Sequence, residues 1–279
     1  MKEYNFTLKY PQNYPPVTVD NLMRQLLIPR KWRHFLRIEQ KILVNDKYLP
    51  LNFEVKSGDT VSLTLSHVES TQQSYPTSGK LPKITYEDQN ILVINKPAGQ
   101  KTHPNLTETN TALNDAATYL TYSPYIVHRL DMLTNGLLLI AKNPAVVPIL
   151  NRQLTNKTLN REYYAWVDNR NLENKSGTIT FPIGQDPLDQ RKRIVSKTGL
   201  PAITHYKVIQ TSGNQSKLAI RLETGRTHQI RVHLASIGCP IIGDPLYNPT
   251  YKEGQDLQLK AYRLSFQKPF SFEKITVTL

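Results

Sequence analysis

An aspartate beside a histidine and an arginine, directly before an apolar run, is the feature of this sequence most able to carry chemistry. His128, Arg129 and Asp131 lie within four positions, and the apolar, mostly branched residues 137–141 predict a buried strand. Asp131 would then lie where a polar loop meets the core, held by a rigid element and partly shielded from water. Catalytic carboxylates need such an environment. The structural alternative for a single carboxylate is a turn aspartate that caps a strand or loop.

Other segments supply the elements that must position this loop. Residues 91–94 predict a buried strand, and residues 218–223, which alternate apolar and polar side chains, predict another. Residues 110–120 predict a helix.

A second helix is predicted over residues 228–237, where Ile230, Leu234 and Ile237 follow a helical spacing. Thr227 is placed to cap this helix and Gly238 to end it.

The first 66 residues differ in character from the rest. Strand-like runs at 42–47 and 55–63 follow a helical segment at 22–40 that is interrupted at Pro29. Cations crowd this helical segment around Trp32 and Phe35, which favours either a solvated helix face or a nucleic-acid face. The cations are Arg24, Arg30, Lys31, Arg33, Arg37 and Lys41.

Residues 67–82 are rich in Ser, Thr, Gln and Pro, a composition that cannot pack and that predicts a linker. Residues 83–279 alternate strand-like runs with loops and contain no internal repeat. The sequence therefore predicts an N-terminal module at 1–66, a linker at 67–82 and a larger domain at 83–279.

The charge of the chain limits its partners. The sequence has 35 Lys and Arg against 22 Asp and Glu, a net charge of +13, which favours a polyanion: nucleic acid first, a membrane surface second. No run approaches the roughly 20 apolar residues of a spanning helix, and the N-terminus lacks a signal peptide's apolar core. The single cysteine, Cys239, excludes an internal disulfide and a thiolate metal cluster. We therefore expect a soluble, cytoplasmic protein without a membrane partner.

Taken in order, the motifs of residues 84 to nearly the end resemble those of the RluA-type pseudouridine synthases. The segments that carry the resemblance are residues 86–88, 95–99, 103–104, 128–142, 161–165, 182–184, 202–204, 224–234, 238–240 and 243–245. Residues 1–66 resemble a degenerate form of the S-four RNA-binding module that is often fused to these enzymes.

The resemblance implies a fold and an activity. The expected fold is α+β, with a mixed, largely antiparallel central sheet flanked by helices and loops, and a small N-terminal α+β RNA-binding module. The expected activity is the isomerisation of uridine to pseudouridine in RNA, with large-subunit ribosomal RNA favoured over transfer RNA. No group or electron enters or leaves, so no cofactor or metal is expected. A monomer is the default expectation.

The resemblance also implies a catalytic set. Asp131 would act at the sugar, either as a nucleophile or by stabilising positive charge and taking a proton. Arg231 would keep it ionised, because a fixed cation opposes the protonation that a dry pocket favours. The alternative for Arg231 is a phosphate contact. Tyr163 would stack on the uracil and offer its hydroxyl as a base for the carbon-5 proton, whereas periodicity alone makes it a core tyrosine.

Further residues are expected to bind RNA. Arg129 would fill the gap left by a flipped uridine, with phosphate contact as its alternative. His128 is expected to fix the loop by hydrogen bonding, and Arg226 and His228 to contact phosphate or brace the pocket. Ile230 is either core or pocket wall. Arg193, between Pro187 and Pro201, is an RNA contact or part of a solvated loop.

Four positions depart from the family pattern: Arg161 replaces a usual lysine and Asn135 a small hydroxyl residue, while Gln185 and Cys239 replace a common arginine and histidine. The last two put the choice of RNA in doubt.

Two other functions compete with the synthase. A non-catalytic RNA-binding protein or ribosome-assembly factor would keep the fold, but loss of Asp131, Tyr163 or Arg231 would have favoured it. A metal hydrolase could use histidines, yet the spacing of five between His228 and His233 puts their rings on different faces of a helix.

Overall fold

The computed structural model describes residues 2–105 and 107–279. Over these residues the chain forms five α-helices and eighteen β-strands. The helices are α1 (Val19–Gln25), α2 (Arg30–Ile38), α3 (Ala112–Leu120), α4 (Val147–Thr155) and α5 (Gln229–Ser236). The strands are β1 (Tyr4–Lys9), β2 (Val17–Thr18), β3 (Ile42–Val44), β4 (Lys47–Tyr48), β5 (Glu54–Val55), β6 (Thr60–Leu65), β7 (Ile84–Glu87), β8 (Ile91–Lys96), β9 (Tyr125–Ile126), β10 (Asn135–Ala141), β11 (Asn160–Asp168), β12 (Ser176–Ile179), β13 (Ile183–Gln185), β14 (Arg193–Val195), β15 (Thr204–Ser212), β16 (Gln215–Leu222), β17 (Leu259–Gln267) and β18 (Lys274–Thr278).

A ten-stranded sheet forms the body of the molecule. Its order is β12-β15-β16-β11-β17-β10-β8-β7, with β18 beside β17 and β9 beside β10. Among the described strands, every pairing in this sheet is antiparallel except that of β10 with β17. This confirms the predicted α+β fold with a largely antiparallel central sheet.

The parallel contact between β10 and β17 depends on a glycine. Gly136 lies opposite Ala261 and has a φ of +114°, which favours glycine. A Cβ at this position would lie 2.1 Å from the carbonyl oxygen of Ala261. The two strands therefore approach closely only because residue 136 has no side chain.

The predicted strands at 91–94, 137–141 and 218–223 are confirmed by β8, β10 and β16. The predicted helices at 110–120 and 228–237 are confirmed by α3 and α5, and Gly238 follows α5 with a φ of +74°.

The predicted cap at Thr227 is wrong. The N-cap of α5 is His228, whose φ is +58° and whose side chain makes no capping bond. The side chain of Gln229 instead turns back and accepts a hydrogen bond from Arg226 N at 2.9 Å. The chain thus enters the helix through a left-handed residue, which no capping pattern predicts.

The N-terminal part is a small sheet of order β1-β6-β3-β4 with helices α1 and α2 against it. The predicted break at Pro29 is confirmed, because α1 ends at Gln25 and α2 begins at Arg30. Trp32 is buried and donates to the carbonyl of His67 at 3.1 Å, so it belongs to the core rather than to an exposed face.

The N-terminal part and the central sheet share one apolar core. The rings of Phe6 and Phe270 stack with their centroids 3.7 Å apart, and Arg152 Nη1 donates to the carbonyl of Leu27 at 3.0 Å. The two parts therefore pack directly on each other.

The expectation that residues 67–82 cannot pack is wrong. Tyr75 is buried, and its backbone N donates to Ser123 Oγ at 2.8 Å. The side chain of Gln72 bonds both the carbonyl of Pro124 and the amide of Ile126. Polar side chains here supply hydrogen bonds that hold an extended backbone against the larger part. The division at 1–66, 67–82 and 83–279 itself stays a prediction.

Among the described residues, no helix combines the length and the apolar character needed to cross a membrane.

Candidate active site

A cleft of about 550 Å³ lies beside the start of β11, between the loop that precedes β10 and the loop that leads into α5. It brings together all the predicted site residues except Arg193. The residues brought together are His128, Arg129, Asp131, Tyr163, Arg226, His228, Ile230 and Arg231.

The loop that carries Asp131 is held on both sides through its backbone. Before it, Thr102 Oγ1 donates to the carbonyl of Leu130 at 2.8 Å and accepts from its amide at 3.0 Å. After it, the ammonium of Lys96 donates to the carbonyl of Met132 at 3.1 Å. Asp131 is thereby positioned without using its own carboxylate.

Lys96 is fully buried, which is exceptional for a lysine. Its ammonium also donates to the carbonyls of Pro97 and Gln100, at 2.8 and 2.7 Å, so all three of its protons are used. Burial lowers the pKa of Lys96 to about 8, while the charge of Asp131 acts in the opposite direction. The segment at 95–99 thus supports the loop that bears the carboxylate.

Arg231 is buried and faces two carboxylates. Its Nε and Nη2 each donate to Asp244 at 2.7 Å, and Asp244 is itself inaccessible to solvent. The remaining nitrogen, Nη1, lies 3.9 Å from an oxygen of Asp131. Burial acts to lower the pKa of Arg231, but the hydrogen bonds and charge of Asp244 outweigh it and raise the pKa above its ordinary value. Asp244 therefore aims a permanent cation at Asp131.

His228 lies on another side of the same carboxylate. Its Nε2 is 3.9 Å from Asp131, and its Nδ1 is hydrogen-bonded to the hydroxyl of Tyr247 at 2.8 Å. Burial lowers the pKa of His228 below its ordinary value, more than Asp131 raises it. His228 is thus neutral at neutral pH, and Arg231 carries the positive charge beside Asp131.

His128 makes a structural contact. Its Nε2 accepts a hydrogen bond from the amide of Leu139 in β10 at 3.1 Å, so its proton lies on Nδ1. Burial, together with the nearby Arg161, lowers the pKa of His128 to about 3. The ring is therefore neutral and ties the loop to the strand.

Tyr163 and Ile230 form apolar walls of the cleft, and both are buried. Burial raises the pKa of Tyr163, while Arg161 acts to lower it. The phenol is therefore protonated at neutral pH, with its ring available for a flat ligand. Ile230 is both core and wall, since it also packs in the cluster that contains Tyr163.

The mouth of the cleft is basic. Arg129 is exposed there, and Arg226 Nε is tied to the carbonyl of Pro201 at 3.0 Å. Arg193 lies outside the cleft in β14, where its guanidinium bonds the carbonyls of Gln190 and Lys192.

Over residues 2–105 and 107–279, no group of three or more His, Cys, Asp or Glu side chains is arranged to hold a metal ion.

Comparison with family models decides the relationship of this chain to known proteins. Residues 90–236 match the model described as RNA pseudouridylate synthase, a range that holds Asp131, Tyr163 and Arg231. The chain belongs to the RNA pseudouridylate synthase family. Residues 6–61 match the model described as RluD ribosomal pseudouridine synthase N-terminal domain.

Individual relatives agree with this family assignment. An uncharacterized RNA pseudouridine synthase of Bacillus subtilis is 41% identical over 244 residues, covering 85% of this chain and 80% of that protein. The ribosomal large subunit pseudouridine synthase D of Nitrosomonas europaea is 38% identical over 258 residues, covering 89% and 74%.

A solved structure shows the same pseudouridine synthase fold. The human RNA pseudouridylate synthase domain containing 1 matches with a TM-score of 0.62 and 23% identity, over 73% of this chain and 85% of that one. The members of the family are isomerases that act on uridine in RNA.

Sequence reasoning missed three residues of this synthase site. Asp244 was part of a recognised motif but had no assigned role, and nothing in the sequence pairs it with Arg231. Lys96 and Thr102 also lay in or beside recognised segments, and only the fold shows that they hold the Asp131 loop.

Proposed function

We propose that this synthase isomerises uridine in large-subunit ribosomal RNA and that Asp131 is its catalytic carboxylate. The observation that carries the proposal is the setting of Asp131 in the cleft. Its carboxylate is partly shielded, faces Arg231 Nη1 at 3.9 Å, and accepts no hydrogen bond from the described residues. The carboxylate is thus held beside a fixed cation and free to meet a substrate.

The chemistry follows from that setting. As the bond between uracil N1 and the sugar breaks, positive charge develops at the sugar, and Asp131 either attacks carbon 1′ or removes a sugar proton. The uracil turns in the cleft, and a new bond forms between carbon 1′ and carbon 5. The carbon-5 proton then leaves and N1 gains a proton, so nothing is added or lost overall.

Tyr163 supports the base in this scheme. Its ring offers a flat surface to the detached uracil. In the last step its hydroxyl takes up the carbon-5 proton while it releases its own proton to solvent, from which N1 is protonated. Because its pKa is raised by burial, the phenolate is scarce and cannot act as a strong base in the resting enzyme.

The RNA-binding roles follow from position. Arg129, exposed at the mouth, fills the space that a flipped uridine leaves, while Arg226 and His228 brace the loop that enters α5. The choice of ribosomal RNA rests on relatives named for the large ribosomal subunit and on the N-terminal match. Arg193 is proposed to contact RNA outside the cleft.

The test is tritium release from carbon-5-labelled uridine in ribosomal and transfer RNA transcripts. We expect release by wild type, most from large-subunit ribosomal RNA, and a loss of at least about a thousandfold in Asp131→Asn. Tyr163→Phe should keep RNA affinity and slow release. Asp256→Asn, at an exposed carboxylate outside the cleft, is the matched control.

If Asp131→Asn released tritium at the rate of wild type, Asp131 would not be the catalytic carboxylate. If no protein releases tritium while all bind RNA, the assay is repeated on partly assembled subunits. Continued inactivity there would favour a non-catalytic assembly factor.

A further inference from the structure

We propose that Arg161 binds a phosphodiester that flanks the uridine in the cleft. The inference rests on the proposed function, since it takes the ligand to be RNA. Arg161 lies in β11 two residues before Tyr163, and alternate residues of a strand point to the same face, so both line the cleft.

The cation of Arg161 has no hydrogen-bond or ion-pair partner over residues 2–105 and 107–279. Its Nε is buried and has no hydrogen-bond partner among the described residues, and no carboxylate of this part of the chain forms an ion pair with it. Glu223, which also lines the cleft, is bonded instead to Lys157 and to His205 Nε2, the latter at 2.7 Å. A partly buried cation without a countercharge is costly, so an anionic ligand would stabilise it.

The wall beside Arg161 is shaped for a planar group. A Cβ on Gly225 would lie 3.0 Å from Nη1 and 3.3 Å from Nη2, so the guanidinium packs close to a residue without a side chain. The packing on Gly225 fixes the orientation of the guanidinium, whose paired N–H donors match two oxygens of a phosphate. A lysine at this position would supply a point charge instead.

The position of Arg161 favours phosphate over uracil as its partner. Residues two apart in a strand are about 6.5 to 7 Å apart, comparable to the reach from a base to its own phosphate. Tyr163 is buried, whereas Thr155 and Lys157 beside the Arg161 end of the cleft are exposed. With the base against Tyr163, the backbone of the RNA passes Arg161 on its way to solvent.

The experiment compares the affinities of uridine, uridine 5′-monophosphate and uridine 3′-monophosphate for the full chain, by NMR titration. Wild type should prefer at least one monophosphate over uridine, and Arg161→Gln should reduce that preference about tenfold. Arg161→Lys should retain part of it. Arg221→Gln is the matched control, because Arg221 is an exposed arginine on the neighbouring strand β16 that does not line the cleft.

An unchanged preference for both monophosphates in a folded Arg161→Gln protein would overturn the proposal. Turnover gives a second arm on any transcript that wild type modifies. Arg161→Gln should raise KM and change kcat little, whereas a fall in kcat with unchanged KM would assign Arg161 to the departing uracil anion and refute the phosphate contact.

The two proposals fail separately. Nucleotide binding needs no turnover, so a chain that prefers a monophosphate through Arg161 but releases no tritium contradicts only the synthase function. A chain that releases tritium while its Arg161→Gln variant keeps the full preference contradicts only the phosphate site.

Discussion

Asp131 is held by neighbours that bind its backbone and approached by cations that stop short of its oxygens. Thr102 and Lys96 fix the residues on either side, and Arg231 Nη1 and His228 Nε2 both remain 3.9 Å away. A shorter ion pair would occupy the oxygens that the sugar must reach. The distances thus combine charge stabilisation with access, which is what a carboxylate acting on a substrate needs.

Asp244→Asn tests whether the position of Arg231 depends on its two hydrogen bonds to Asp244. The substitution deprives the buried guanidinium of the carboxylate to which it is hydrogen-bonded, and loss of one partner of such a buried pair typically costs about 3 to 5 kcal/mol of the unfolding free energy. Tritium release should fall as well, because Nη1 is no longer directed at Asp131. Denaturant unfolding and the release assay measure the two effects.

Asp256→Asn serves as the control for charge removal at an exposed site. If Asp244→Asn had the same denaturation midpoint as wild type, the ion pair between Asp244 and Arg231 would contribute nothing to stability. If Asp244→Asn were destabilised but fully active, the ion pair between Asp244 and Arg231 would support the fold and not catalysis.

At this scale the sequence predicts residue types better than it predicts partners. Asp131, Tyr163 and Arg231 were all expected in one site, and the cleft brings them together, although their roles stay predictions. The pairing of Arg231 with Asp244 could not be foreseen, because it depends on how the loop after α5 folds back. Nor could the burial of Lys96, since three backbone carbonyls from two separate turns must converge to allow it.

Among the elements, the pair β10 and β17 determines the shape of the site. The strand β10 follows the Asp131 loop, and β17 begins at Leu259, which lines the cleft. Their parallel contact is short, running through Asn135 and Gly136 only. This contact joins the strand that follows the carboxylate to the strand that begins at the far wall of the cleft.

Gly136→Ala should separate these strands. A Cβ 2.1 Å from the carbonyl of Ala261 forces backbone movement, and the positive φ adds strain of roughly 1 to 3 kcal/mol. We expect a clear loss of stability in denaturant unfolding and a parallel loss of tritium release.

The comparison variant is Gly213→Ala, at a glycine whose φ is +54° and which has no atom within 4 Å of the added Cβ. It carries the backbone strain without the clash. Equal destabilisation by the two substitutions would mean that the approach of β10 to β17 is not tight.

The sequence pattern predicted the elements with a continuous apolar run, as in β8 and β10, or a regular apolar spacing, as in β16. It did not predict α4, which begins near Pro148 and buries Ile149 and Leu150 against the shared core. It also failed at the start of α5, because a left-handed residue leads into that helix. Local patterns do not report such conformations when tertiary packing imposes them.

The whole molecule is held together by a core that crosses from the N-terminal part to the central sheet. Phe6 in β1 stacks on Phe270 in the turn between β17 and β18, so the first strand packs on nearly the last. Residues 67–82 are bonded along the surface between these parts. The N-terminal part therefore has a fixed orientation relative to the cleft.

A double-mutant cycle at Phe6 and Phe270 measures this coupling. Each change to Ala should cost about 3 to 5 kcal/mol, and the double variant should lose less than the sum by about 0.5 to 1.5 kcal/mol. Phe53→Ala, at an exposed phenylalanine, is the control and should cost little. Strict additivity in denaturant unfolding would contradict direct packing between the two parts.

The order of the strands also constrains when the enzyme can become active during its own synthesis. The strand β17 lies between β10 and β11, yet it is made after both. A nascent chain that has already emerged beyond Arg231 carries every proposed catalytic side chain but lacks the strand that joins their supports. We therefore expect activity only after β17 has left the ribosomal exit tunnel and paired with both strands.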